Sequence, residues 1–230
     1  MILKIVEMKK GINYILFDFD GVIIDSELIA TKAVLEVLKP TGYKIDIHTY
    51  SQQFAGMMEN EVFEIIKNQM NIDDIQPYKQ QYKALFWEKY DKELKSISGM
   101  DELIKNLNIS KSIVSNSNLD YMIKSVKKIG LENQFDRLFS AQMVEKPKPF
   151  PDLYNHAVDE LNLDRSKTIV IEDSPTGVRA AKSAGLNVIG FLGAGHIFEG
   201  HEKILTDNRA DYIAKNAYEL KNIILELNNY

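Results

Sequence analysis

Two carboxylates, Asp18 and Asp20, stand two residues apart at the end of the run Tyr14-Ile15-Leu16-Phe17-Asp18-Phe19, and Gly21 follows them. An almost wholly apolar run of that length reads as a strand, Tyr14 to Phe19, buried on both faces. Carboxylates at such a place are costly unless they are paired, hydrogen-bonded or set around a cation. Taken alone, Asp-x-Asp-Gly is equally a strand-end turn with an Asp cap. Two further strand ends shift the balance. Ser112 to Ser115 runs into Ser115-Asn116, which is either a serine-type turn or a donor to phosphate oxygens. Thr168 to Ile171 runs into Glu172-Asp173-Ser174, either a helix N-cap with acids beside it or a divalent-metal site. Together these ends hold four acids, a hydroxyl and an amide, a concentration of negative charge that a protein tolerates mainly around a hard cation. A fourth segment, Glu145-Lys146-Pro147-Lys148-Pro149-Phe150-Pro151-Asp152, is stiffened by its prolines. It reads as an exposed loop with a solvated basic pair, or as a device that holds one lysine ammonium at a fixed height.

The elements that would bring these groups together follow a strand–helix rhythm. Further strands are expected at Val188 to Phe191, Leu138 to Ser140 and Asp211 to Ile213. Helical patterns fall at Asp101 to Leu107, Leu119 to Ile129 before Gly130, Asp152 to Leu161, Gly177 to Ala184 before Gly185, and Tyr218 to Leu227. Both glycines sit where a helix ends in a left-handed residue. The expected fold class is α/β, a Rossmann-like parallel sheet with helices on both faces. One interval breaks the rhythm: Ser112 lies 92 positions beyond Asp20, where a crossover needs only about 10–12. Within it, Glu27 to Leu38, Asn60 to Met70 and Tyr78 to Leu94 read as helices, the first stopped by Pro40 and the last opening after Pro77. An inserted all-helical cap domain over residues 26–95, with residues 1–25 and 96–230 forming the core, would roof the strand ends where open α/β sheets bind ligands.

Composition narrows the partners. The 230 residues are 45% hydrophobic, enough for one full core and a small second one. Lys plus Arg is 28 against 33 Asp plus Glu, a net charge of −5, so no nucleic-acid or membrane-surface partner is expected. There is no cysteine, which excludes disulfide scaffolds, thiolate catalysis and Cys-ligated metals. Met1 to Lys10 lacks the apolar core of a signal peptide and reads as an untargeted tail, and no apolar stretch reaches membrane-spanning length. Cytoplasmic localisation and a monomer are expected.

In chain order, Asp18-Phe19-Asp20-Gly21-Val22, Ser115-Asn116, Lys148-Pro149-x-Pro151-Asp152 and Glu172-Asp173-Ser174-x-x-Gly177 resemble the four motifs of the haloacid dehalogenase superfamily. The resemblance runs from about Tyr14 to Phe191 and is to the branch with its cap inserted after the first strand, which contains phosphoglycolate phosphatases, sugar-phosphate phosphatases and β-phosphoglucomutase. Only Lys148, not Lys146, fits the third motif. The resemblance implies a Mg²⁺-dependent phosphatase acting on a small phosphorylated metabolite: a sugar phosphate, a sugar-acid phosphate or phosphoglycolate. Asp18 would be the nucleophile that forms an aspartyl-phosphate, and Asp20 the general acid and base. Mg²⁺ would be held by Asp18, the Asp20 carbonyl, Asp173 and Glu172, the last directly or through water. Ser115 and Lys148 would neutralise the transferring oxygens, with Asn116 beside them and the backbone amides of Phe19, Gly21 and Val22 completing the cradle.

A dehalogenase of this superfamily lacks the second motif acid, which Asp20 supplies here. The mutase carries a cap arginine and a first-helix histidine where this chain has Glu59 and Ala30, so transfer to water is favoured. A reading from another class, a non-catalytic phosphometabolite- or partner-binding protein, has no use for an attacking carboxylate beside a general acid. His196, just past a strand end, is read as a flexible-loop residue or as one that touches a substrate, and His48, His156 and His201 as surface residues. Tyr82, Phe86, Trp87 and Tyr90 are read as the core of the helical bundle, and Met57 and Met58 as neighbours of the crevice.

Overall fold

The computed structural model describes residues 11–54, 57 and 59–229. Met1 to Lys10 and Met58, for which expectations were stated, lie outside the described residues. Strand β1 (Tyr14–Phe17) leads into four helices, α1 (Ser26–Leu38), α2 (Ile47–Phe54), α3 (Glu59–Met70) and α4 (Gln76–Glu93). The chain then alternates through α5 (Met100–Asn106), β2 (Ser110–Ser115), α6 (Leu119–Lys128), β3 (Leu138–Ser140), α7 (Asp152–Glu160) and β4 (Thr168–Glu172). It ends with α8 (Pro175–Ser183), β5 (Asn187–Phe191), α9 (His201–Asp207), β6 (Tyr212–Ala214) and α10 (Ala217–Asn229).

The six strands form one sheet in the order β3-β2-β1-β4-β5-β6, every neighbouring pair parallel. Period-2 alternation divides the strands' apolar side chains between two faces. Ile15, Phe17, Ile113, Ile169, Ile171 and Ile189 meet helices α5, α6 and α10, while Leu16, Val114, Val170 and Val188 meet α7, α8 and α9. Each fully buried Ile, Val or Phe contributes roughly 1.5–3 kcal/mol, so the two faces fix the register strongly. Because β1 is flanked by β2 on one side and β4 on the other, successive crossovers depart from it in opposite directions and open a crevice at the strands' C-terminal ends.

Helices α1 to α4 bury a third apolar cluster of their own, centred on Ala33, Leu38, Phe63 and Ile66. The two chain segments joining this helical insert to the sheet run side by side, with Ile97 N–H donating to Ile23 O at 2.9 Å. Tyr90 departs from the expected bundle core: it is fully buried against the α5–α6 side of the sheet and shares a hydrogen bond with Ser125 Oγ at 2.7 Å. Trp87 is 43% exposed. Helices α2 and α9 were not expected. In α2, Ile-His-Thr-Tyr-Ser-Gln-Gln-Phe gives only Tyr50, Ser51 and Phe54 to the interior, too few apolar positions to declare a period. Gly130 and Gly185 take positive φ, 70° and 73°, as helix-ending residues.

Candidate active site

Strand β1 carries Asp18 to the crevice, and the Asp18 N–H still bonds Ile171 O at 2.9 Å, tying the residue to β4. The expected strand residues Asp18 and Phe19 have left the ladder, because the chain turns here: Ile23 N–H and Ile24 N–H both donate to Phe19 O. Gly21 makes the turn at φ +82°, and a Cβ there would lie 2.0 Å from Asp173 Oδ2. Any side chain at 21 would therefore displace the acid from the site.

Lys148 is the cation at the centre. Its Nζ donates at 2.7 Å to each of Asp18 Oδ1, Glu172 Oε1 and Val114 O, which satisfies all three of its protons. The Tyr154 ring lies 4.8 Å from the same nitrogen. Burial disfavours the charged amine, but Asp18 and Glu172 outweigh it and hold Lys148 well above its ordinary range. Asp18 is pushed well above the usual carboxylate range by burial and by the Glu172 charge, with Lys148 opposing.

Glu172 is fully buried and shared among neighbours. Its Oε1 accepts from Lys148 and Tyr154, and its Oε2 from the Ser174 N–H and hydroxyl. Ser174 also caps α8, accepting from Gly177 N–H at 3.0 Å. Gly177 is the residue that lets α8 approach: a Cβ there would fall 1.6 Å from Glu172 Oε1.

Asp20 sits in a cage of hydroxyls that the sequence reading missed. Ser26 and Tyr121 donate to Oδ1, and Ser117 donates to Oδ2. Burial raises the Asp20 carboxyl, and these donors act against the rise. Ser117 lies two residues beyond Ser115 and Tyr121 one helical turn farther on, but Ser26 comes from the start of α1, so no common spacing marks the cage. Ser115 is buried, its oxygen accepting from Ser117 N–H at 3.1 Å. Asn116, expected beside the phosphate, instead brackets the Lys148 backbone through paired bonds of 2.9 and 3.0 Å. The expected amide cradle is also reduced: Gly21 N–H donates to Ile24 O and Val22 N–H to Phe19 O, inside the turn.

The readings of two histidines are corrected. His201 is not on the surface: it is 4% exposed and its Nε2–H donates to Asp173 O at 2.6 Å. His196 is not a loose loop residue either, because its Nε2 lies 3.2 Å from Asp173 Oδ2. Burial works against the charged ring of His196, yet Asp173, Glu27 and Asp25 raise its pKa. The cues were weak, because both residues follow a glycine-rich stretch with no helical period.

A cavity of about 410 Å³ exposes Asp18, Asp20, Ser115, Lys148, Glu172 and Asp173 together. One oxygen from each of Asp18, Glu172 and Asp173 lies within 4.8 Å of the others. With the half-buried Asp20 adjacent, four acids face one lysine, an all-oxygen donor set with excess negative charge that fits a hard divalent cation. The arrangement can hold a cation, neutralise an anionic group and present one carboxyl group for attack beside a second held by hydroxyl donors.

Residues 15–191 match the family model described as haloacid dehalogenase-like hydrolase. The chain belongs to that family. It is a hydrolase, and several of its curated relatives are named phosphatases. It is 27% identical over 187 residues to the 6-phosphogluconate phosphatase of Escherichia coli (strain K12), covering 80% of this chain and 85% of that one. It is 29% identical over 182 residues to a phosphorylated carbohydrates phosphatase of Thermotoga maritima, covering 76% and 82%. Among solved structures, a haloacid dehalogenase-like protein from Agrobacterium tumefaciens str. C58 superposes with a TM-score of 0.86 at 29% identity, over 94% of this chain and 99% of that one. A family hydrolase from Deinococcus radiodurans R1, with bound phosphate and sodium, gives 0.85 at 25% identity, over 95% and 97%.

Proposed function

We propose that the protein is a divalent-cation-dependent phosphatase that hydrolyses a small phosphate monoester of a carbohydrate. The observation that carries this reading is the meeting of Asp18, Asp20 and Lys148 in one cavity at the end of β1. The names of the two curated relatives support the carbohydrate class. On this reading residues 26–95 form the cap and the remainder the catalytic core.

Asp18 attacks phosphorus and the bond from phosphorus to the leaving oxygen breaks, while protonated Asp20 gives its proton to that oxygen. The resulting aspartyl-phosphate is then attacked by water. Asp20, now ionised, takes the water's proton, and the bond from Asp18 to phosphorus breaks to release phosphate. Lys148 neutralises charge on the phosphoryl oxygens and Ser115 hydrogen-bonds them through both steps. The hydroxyls of Ser26, Ser117 and Tyr121 hold the Asp20 carboxyl in place and stabilise its ionised form for the second step. Asp18, Asp173, the Asp20 carbonyl and Glu172 would hold Mg²⁺, which when bound neutralises charge on the phosphoryl group. Glu172 also fixes Lys148 and the start of α8.

Phosphate release from a panel of sugar phosphates, with Mg²⁺ and with EDTA, tests this reading. The Asp18→Asn variant should retain the wild-type circular dichroism and lose activity by roughly a thousandfold or more. Undiminished turnover in that variant would refute the assignment of the nucleophile.

A further inference from the structure

Beyond Asp20, on the side away from Lys148, a second chamber of about 360 Å³ lies beneath the helical insert and shares Asp20, Glu27 and Thr31 with the first. A substrate whose phosphate sits against Lys148 and whose leaving oxygen faces Asp20 must extend its leaving group into this chamber. Among the described residues lining it there is no Lys, Arg or His, whereas Glu27 and Glu59 both line it. Neither glutamate is in an ion pair with a lysine or arginine among the described residues.

Both glutamates keep solvent exposure at the chamber wall, and the one opposing charge that acts on Glu27, His196, is engaged by Asp173. The two carboxylates share one space: after burial and mutual effects, the phenols of Tyr50 and Tyr82 are raised further by both Glu27 and Glu59. The rest of the wall pairs those phenols and the Thr31 hydroxyl with apolar rings such as Phe63. Hydroxyls and ring faces suit a polyol, which offers both C–H faces and hydroxyl groups. A carboxylate or second phosphate in this chamber would meet two like charges and no partner. An ammonium group there would meet two acceptors of opposite charge instead.

We propose that this chamber selects the leaving group by charge, accepting neutral or amino-bearing polyols and rejecting those that carry a carboxylate or a second phosphate. The proposal rests on the phosphatase reading above and departs from the substrate in the name of the Escherichia coli relative. Two expected substrates, the sugar-acid phosphates and phosphoglycolate, are thereby disfavoured, as is a mutase's bisphosphate.

The test is kcat/KM in Mg²⁺ at neutral pH for glucosamine 6-phosphate, glucose 6-phosphate and 6-phosphogluconate, with p-nitrophenyl phosphate as a reference ester. The expected result is glucosamine 6-phosphate at or above glucose 6-phosphate, and 6-phosphogluconate roughly tenfold or more below it. Glu59→Gln and Glu27→Gln should each narrow that gap. Turnover of the reference ester with 6-phosphogluconate equal to or better than glucose 6-phosphate would overturn the charge rule and leave the phosphatase reading standing. Absence of turnover with every ester would sink the phosphatase reading instead. Calorimetric binding of the same three sugar esters to Asp18→Asn should give the same order without any turnover. Equal affinities there would overturn the charge rule independently.

Discussion

Replacing Lys148 with Met retains the volume of the buried stem and removes only the ammonium. In the native protein that ammonium is 4% exposed and makes three 2.7 Å bonds, two of them to carboxylates that are 11% and 0% exposed. Breaking one side of a buried ion pair costs about 3–5 kcal/mol, because the remaining charge is left without a partner. Here two carboxylates are left, but Asp18 is already held high by burial and by Glu172 and can take up a proton, which limits the loss to that range. At about 2–4 °C per kcal/mol for a chain of this size, Lys148→Met should unfold roughly 6–20 °C below the wild type in EDTA. A carboxyl whose folded pKa is raised favours folding below its unfolded pKa and opposes it progressively above. The deficit should therefore be larger at pH 8 than at pH 5. Lys92→Met is the control, since the Lys92–Glu88 pair is exposed on both sides and its loss should leave Tm unchanged. Calorimetric melting in EDTA at both pH values reads the effect. A deficit under about 2 °C at pH 8, or one that grows on acidification, would refute the account of a cation balancing two buried acids.

Gly177→Ala should destabilise by about 1–3 kcal/mol, since its Cβ would strike a Glu172 carboxylate fixed by four hydrogen bonds. Denaturant melts decide this sharply: an Ala in a helix otherwise stabilises, so any gain in stability would contradict the described contact. Tyr43→Phe should leave stability equal or raise it by about 1 kcal/mol, because the Tyr43 hydroxyl is buried with no hydrogen-bond partner among the described residues. Burial raises the Tyr43 pKa, so wild-type stability is lost as pH rises above the unfolded value of about 10. The advantage of the Phe variant should accordingly widen between pH 9 and 11, and a constant difference across that range would count against a buried phenol.

The sheet was legible because its strands are buried on both faces, and runs such as Thr-Ile-Val-Ile leave no alternative period. Leu138–Ser140 matches the expected bounds, and most helix ends lie within two residues of their cues in Pro, Gly or Asn. The site acids and Lys148 were legible as well, because each stands at a strand end or in a proline-locked segment. What stayed hidden were contacts set by packing between distant segments. The hydroxyls of Ser26, Ser117 and Tyr121 converge on Asp20 from the start of α1, the β2 end and α6. No spacing along the chain encodes that convergence. His201 reached Asp173 through a helix whose sequence is too short and polar to show a period.

Asp20 stands at the boundary between two unlike electrostatic environments. On one side Lys148 and the capped start of α8 present positive charge and donors, the surroundings that a phosphoryl dianion requires. On the other side Glu27, Glu59 and a ring of phenols present acceptors and negative charge. A proton passing from Asp20 to the leaving oxygen therefore converts a developing alkoxide into a neutral alcohol at the edge of a chamber that repels anions. The same field that rejects an anionic substrate disfavours the unprotonated leaving group, which couples departure to proton transfer. Mutating Glu59 should then alter which ester is chosen more than how fast a good ester reacts, because Glu59 lines that chamber, whereas in the proposed mechanism it is Asp20 that meets the leaving oxygen.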